Sequence, residues 1–228
     1  MYPCGKDALL RKVFQAELQH VGEELIQIAT LVKEALERAS NAFLETDIQE
    51  AEEVISNDAR IDFMQNELDE RSIDILALQG PVASDLRMIV GALRMSSSLE
   101  RMGDLARHVA QVARMRYPAP VLPDSITPIF TEIIELDKKI IDSVIALLET
   151  RELSHAQDIA KHKVRINELH VEVFNRMAAD DWDHPAQTTV DVTLASRYLE
   201  RFGDHGVSVA RKVTYLVTGD WNAVPQSL

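Results

Sequence analysis

The chain has little that crosslinks, punctuates or anchors a polypeptide. Among 228 residues there is one cysteine, Cys4, which excludes a disulfide framework within one chain. Glycine and proline number eight each. Breaks must therefore be few, and the elements between them long. Aromatics make up only 5% of a 46% hydrophobic content, so the core must be aliphatic. No apolar run approaches the ~18 residues that suggest a membrane span. The stretch from Met1 to Asp7 lacks the apolar centre of a secretory signal. The expectation is a cytoplasmic protein with no direct membrane insertion. Basic residues are also scarce, 24 against 37 acidic ones, for a net charge of −13. Nucleic acid is excluded as a non-specific partner, because phosphate attraction needs a basic face.

What is present is helical. Leu18, Val21, Leu25, Ile28, Ala29, Val32 and Ala35 recur at three- and four-residue steps, the stripe of an amphipathic helix. This pattern predicts a first helix from about Val13 to Phe43 or Leu44, after a tail over residues 1–11. Thr46-x-x-Gln49 has the form of a capping box and predicts a second helix to about Leu78. Gly80-Pro81 breaks it, and a third helix is expected over Val82–Arg116. Pro118, Pro120 and Pro123 mark residues 118–124 as a linker. A fourth helix is expected over Pro128–Glu149. Ser154-x-x-Gln157 predicts the cap of a fifth, ending near Ala179, and a sixth spans Ala186–Val217. Residues 219–228 read as a second tail.

Six helices, three on either side of a linker, suggest a repeat. Leu99-Glu100-Arg101-Met102-Gly103-Asp104 matches Leu199-Glu200-Arg201-Phe202-Gly203-Asp204, 100 residues on. Leu44-Glu45-Thr46 matches Leu148-Glu149-Thr150, and Ile61–Leu68 has a counterpart in Ile166–Val173. The reading is all-α, with two tandem pseudo-symmetric three-helix bundles over residues 12–117 and 125–218.

The repeated motif breaks local rules twice. Glu100 and Asp104 are four apart and share a helix face, as do Glu200 and Asp204. Like charges at that spacing cost a few tenths of a kcal/mol, and a mid-helix glycine costs about 1 kcal/mol relative to alanine. Unfavourable local choices kept at two places point to function, or to a close helix approach over the glycine. Asp58 and Asp62, four apart on the second helix, supply another acidic pair. Together with Glu100 and Asp104 they form a candidate tetra-carboxylate site for a hard cation such as iron, manganese or magnesium. His108 shares the Glu100/Asp104 face and reads either as a nitrogen ligand or as a partly exposed histidine. The bland alternative for the whole patch is a solvated acidic face with Arg87, Arg101 and Arg107 in salt bridges. The second unit carries Lys163 and Asn167 where the first has Asp58 and Asp62. There, a lysine-neutralised pair competes with a metal site. Glu17-x-x-His20 and Glu152-x-x-His155 are not equivalent in the repeat and are rejected as metal motifs. No Gly-x-Ser-x-Gly, phosphate loop or Gly-x-Gly-x-x-Gly is present, so an enzyme is not expected.

Pro81-x-Ala83-x-Asp85-Leu86-Arg87, followed by the two Leu-Glu-Arg-x-Gly-Asp motifs at 99–104 and 199–204, resembles the PhoU family. The resemblance covers roughly Val13 to Thr218. Asp191-Val192-Thr193-Leu194 and Ser196-Arg197 resemble its actinobacterial branch. The resemblance implies a homodimeric cytoplasmic adaptor that holds the phosphate-starvation response off. Its implied partners are the ATPase subunit of the phosphate ABC transporter and a sensor histidine kinase. It also implies a divalent or trivalent metal (iron, zinc or manganese) on acidic motifs, carried here by Glu100, Asp104, Asp58, Asp62, Glu200 and Asp204. The alternative function is a metal-binding or metal-storage bundle without a signalling role.

Overall fold

Low punctuation and strong helix formers produce six long helices in the computed structural model, which describes residues 6–220, with side chains from residue 11. They are α1 (Lys6–Glu45), α2 (Ile48–Gln79), α3 (Ala83–Arg116), α4 (Thr127–Thr150), α5 (Leu153–Met177) and α6 (Ala186–Thr218). There is no strand among the described residues. The expected tail over residues 1–11 is too long at its C-terminal end. Helix α1 already begins at Lys6, because Lys6-Asp-Ala-Leu-Leu-Arg11 contains good helix formers and no breaker. Trp221 and the rest of the C-terminal segment lie outside the described residues.

Both expected capping boxes are displaced. Thr46 has φ 59°, outside the extended region a cap requires. Asp47 is the cap instead: its side chain accepts from the backbone N–H of Gln49 at 2.9 Å and of Glu50 at 3.2 Å. In the second unit Arg151 takes φ 59° and Glu152 is the extended residue before α5. Ser154 therefore lies inside the first turn of α5. The two turns are the same left-handed-then-extended connection, and Thr46 and Arg151 are 105 positions apart. That sets the structural register of α1 against α4 one residue away from the one suggested by Leu44-Glu45-Thr46. In the corrected register, wholly buried Val32 corresponds to Asp137.

Each repeat packs its own three helices, and the repeats meet through α3 on α6 and α1 on α4. Helices α3 and α6 run antiparallel along the seam: Ser98 meets Ser208, and His108 stacks near Tyr198 with ring centres 5.0 Å apart. One continuous aliphatic core results, with Ile28, Leu36, Leu99, Met102, Ile133 and Phe202 among its fully buried members. Two glycines of α6 sit where other helices come close. A Cβ on Gly206 would overlap the γ-methyl of Ile140 on α4. One on Gly203 would lie 3.1 Å from the Lys163 chain and 3.4 Å from Asp137 Oδ1. In the first unit a Cβ on Gly103 would lie 2.8 Å from the δ-methyl of Ile61. The motif glycines thus let α2 and α5 lie close against the acidic faces, as a side-chain-free position permits.

Candidate functional site

Helix periodicity puts Glu100 and Asp104 on the side of α3 that meets α2, where the Gly103 approach brings Asp58 and Asp62 within electrostatic reach. Burial raises the Glu100 pKa above its ordinary value, and Asp104, Asp62 and Asp58 raise it further, against the pull of Arg101. Burial likewise raises that of Asp58, and Asp62 and Asp104 add to the effect. The four carboxylates do form one patch. Arg107, one turn beyond Asp104 on α3, neutralises part of it. Its Nε lies 2.5 Å from Asp58 Oδ2 and its Nη2 lies 2.6 Å from Asp104 Oδ1. Arg101 reaches Asp104 at 2.9 Å and Glu100 at 3.5 Å. Arg87, expected alongside these two, instead donates from Nε to the carbonyl of Ala83 at 3.4 Å.

The second patch is arranged the other way round. Lys163, from α5, reaches into the core with a side chain only 3% exposed. Its ammonium lies 2.7 Å from Glu200 Oε1 and 2.9 Å from Asp204 Oδ1, and donates to the Glu200 carbonyl at 2.6 Å. Arg197 covers the other Glu200 oxygen at 2.5 Å. Asp137, from α4, completes the group. It is wholly buried, with no hydrogen-bond partner on either oxygen, and burial raises its pKa well above the ordinary carboxylate range despite Lys163. Asn167 stands where the first patch has Asp62, so the acid here comes from a different helix.

Neither patch presents a metal site as folded. Among the described residues no three or more His, Cys, Asp or Glu side chains are grouped to hold an ion. In the second patch the lysine sits where a cation would, and the donor set does not fit a metal. In the first, four carboxylates facing two arginines leave an excess of negative charge, and this oxygen-rich chemistry suits a hard cation. Arg107, however, holds the inner positions. His108 does not join the patch: burial lowers its pKa, and its Nδ1 is buried without a partner beside Tyr198. Glu17 and His20 pair separately, with Arg71 and with Glu23 and Glu24.

Asp137 is the member that motif reasoning missed, although a signal was there. It lies three and four residues from Ile133 and Ile134, and from Ile140 and Ile141. An acid in the middle of a core stripe is a buried acid.

Two three-helix bundles fused along one antiparallel seam, each bearing Leu-Glu-Arg-x-Gly-Asp against a neighbouring helix, define a tandem-repeat helical module. The chain belongs to the PhoU family: the PhoU domain matches it twice, over residues 25–113 and 130–213. It is 36% identical over 212 residues to the phosphate-specific transport system accessory protein PhoU homolog 1 of Mycobacterium leprae, covering 93% of this chain and 96% of that one. It is equally 36% identical over 210 residues to PhoU homolog 2 of Mycobacterium tuberculosis, covering 92% and 99%. The crystal structure of PhoU from Pseudomonas aeruginosa superposes with a TM-score of 0.80 at 28% identity, covering 91% of this chain and all of that one.

Proposed function

We propose that this protein is a non-enzymatic regulator that restrains the phosphate-starvation response. It does so as a cytoplasmic homodimer working with the ATPase subunit of a phosphate ABC transporter and a sensor histidine kinase. The observation that carries this reading is the near full-length match to accessory proteins of the phosphate-specific transport system. The chemistry of the acidic patches supports it. Their carboxylates are held by Arg107, Arg101, Lys163 and Arg197 rather than aimed at an open cleft with a nucleophile. No described helix is long and apolar enough to cross a membrane, which suits an adaptor that meets the transporter through its ATPase. Deletion should switch on starvation genes in phosphate-rich medium, and tagged protein should co-purify the ATPase and the kinase. A starvation response that stays off in a strain lacking every such homologue refutes the reading.

A second reading is favoured by one specific observation. Burial and mutual repulsion raise the pKa values of Asp58 and Glu100, so an added cation would relieve the first patch. On this reading Asp58, Asp62, Glu100 and Asp104 take up a divalent or trivalent ion once Arg107 turns outward, while Glu200 and Asp204 keep Lys163. Elemental analysis of protein purified without chelator tests it, with Asp104→Ala as the control. No metal in either sample ends it.

A further inference from the structure

The part-buried cations described so far have acids beside them. Arg107 has Asp58 and Asp104, Lys163 has Glu200 and Asp204, and Arg71 has Glu17 and Glu24. Lys212, on the outer side of the α3–α6 seam, has no carboxylate among the described residues. Its half-buried ammonium donates to Ser208, at 3.1 Å to the carbonyl and 2.6 Å to Oγ. Across the seam Ser98 Oγ lies 3.5 Å from the same hydroxyl. An ammonium has three donors, so one is left over. The charges that act on Lys212 are like ones: burial lowers its pKa, and Arg94 and Arg211 lower it further. Arg94 and Arg87 also pair with no acid among the described residues. Lys212 and Arg94 side by side with no acid, in a chain of net charge −13, are an electrostatic anomaly.

Arg87, Arg94 and Lys212 rim a depression of about 300 Å³ between α3 and the last turns of α6. Its floor is apolar, formed by Leu86, Val90 and Leu216. Gly91 lets the floor close up, since a Cβ there would lie 3.2 Å from a δ-methyl of Leu216. Leu86 and Val90 remain exposed.

We propose that this depression binds a small organic phosphate, with its apolar body on Leu86, Val90 and Leu216 and its phosphate between Arg87, Arg94 and Lys212. A phosphate monoester carries about −1.5 to −2 charges and three acceptor oxygens, a match for three cationic donors. A carboxylate would leave most of the positive charge unanswered. Inorganic phosphate would leave the apolar floor in water. The volume lies at the small end of the roughly 300–1,000 Å³ typical of ligand sites. The site shares no residue with either acidic patch and does not depend on the regulator reading.

The test is calorimetric titration of the full chain with 1-naphthyl phosphate, alongside inorganic phosphate and neutral 1-naphthol. The expected result is one site for 1-naphthyl phosphate, at least 10-fold weaker binding of inorganic phosphate, and none of 1-naphthol. Lys212→Gln and Arg94→Gln should each weaken binding at least 10-fold, with unchanged thermal unfolding. Arg94 is exposed, so its variant remains informative if Lys212→Gln folds poorly. Equal binding to wild type and Arg94→Gln overturns the proposal, as does inorganic phosphate binding as tightly as the ester. So does failure of the ester when an acidic peptide binds and is lost in the same variants, an outcome that would mark a protein-docking surface.

Discussion

The two acidic patches begin from the same six-residue motif and end in opposite states. In the first, the cation is Arg107, supplied by the motif helix itself with its side chain 23% exposed. In the second it is Lys163, supplied by α5 and almost wholly buried. The first patch gathers acid from α2 and α3, whereas the second draws a buried acid, Asp137, from α4. A repeated motif therefore specifies where a helix presents two carboxylates, but not what neutralises them. The residues on the facing helices decide that, and these have diverged: Asp58 against Lys163, Asp62 against Asn167, Val32 against Asp137. One patch is an excess of negative charge trimmed by two arginines of the motif helix. The other is an ion cluster built into the core.

The largest expected break in this contrast comes from the lysine. Lys163→Met leaves Glu200 and Asp137 buried without their cation, and unfolding in urea should show a loss of about 3–5 kcal/mol. Arg107→Met, at a wetter position, should cost no more than about 1 kcal/mol by the same measurement. Equal losses would mean that the two patches are electrostatically alike. The glycines come next. Gly203→Ala presses on the Lys163 chain and should destabilise by about 1–3 kcal/mol, as overpacking does. Gly103→Ala meets the δ-methyl of buried Ile61 at 2.8 Å, and the gain in helix propensity of about 1 kcal/mol should offset part of that overlap, leaving the smaller loss of the two.

Metal addition should separate the patches further. Arg107→Ala should raise the manganese affinity of the first patch about 10-fold, equivalent to ~1.4 kcal/mol, by freeing Asp58 and Asp104. Lys163→Ala should give no gain at the second. Isothermal titration decides this. The smallest effect concerns pH. The folded pKa of Asp137 is raised, so its contribution is fully present below the ordinary carboxylate pKa and is lost as pH rises through the folded value. Asp137→Asn should therefore unfold at a higher temperature than wild type at pH 9. The expected gain is about 1 kcal/mol, or roughly 2–4 °C for a chain of this size. It should be smaller at pH 5, nearer the ordinary carboxylate pKa. A gain that is the same at both values would rule out titration of Asp137 as its cause.

Much of this architecture is legible in the sequence alone. The repeat, the linker and the six helices follow from apolar spacing and from the few prolines, because long periodic segments leave little choice. The pairing of Lys163 with Glu200 and Asp204 was readable from the repeat alignment, since a lysine stands where the first unit has an aspartate. Two things were less accessible. The helix starts turn on backbone angles at Thr46 and Arg151, and a side-chain pattern such as Thr46-x-x-Gln49 is silent about these. Asp137 was hidden by register: a one-residue error in aligning α1 with α4 puts the buried acid opposite the part-exposed Lys33 rather than opposite Val32. The Lys212 cluster carries no motif at all, because it joins residues from two repeats across the seam.

That seam has a mechanical consequence. Leu99, Met102 and Phe202 are as deeply buried as any residue within either repeat, and α1 and α4 add a second line of contact. The stretch from Tyr117 to Asp124, with Val121 and Leu122 buried in the same core, is therefore not a hinge. The halves should stay together when it is cut, and chains ending at 118 and starting at 119 should reassemble when co-expressed. A force applied to one bundle is passed whole to the other, so this protein moves as one lever arm.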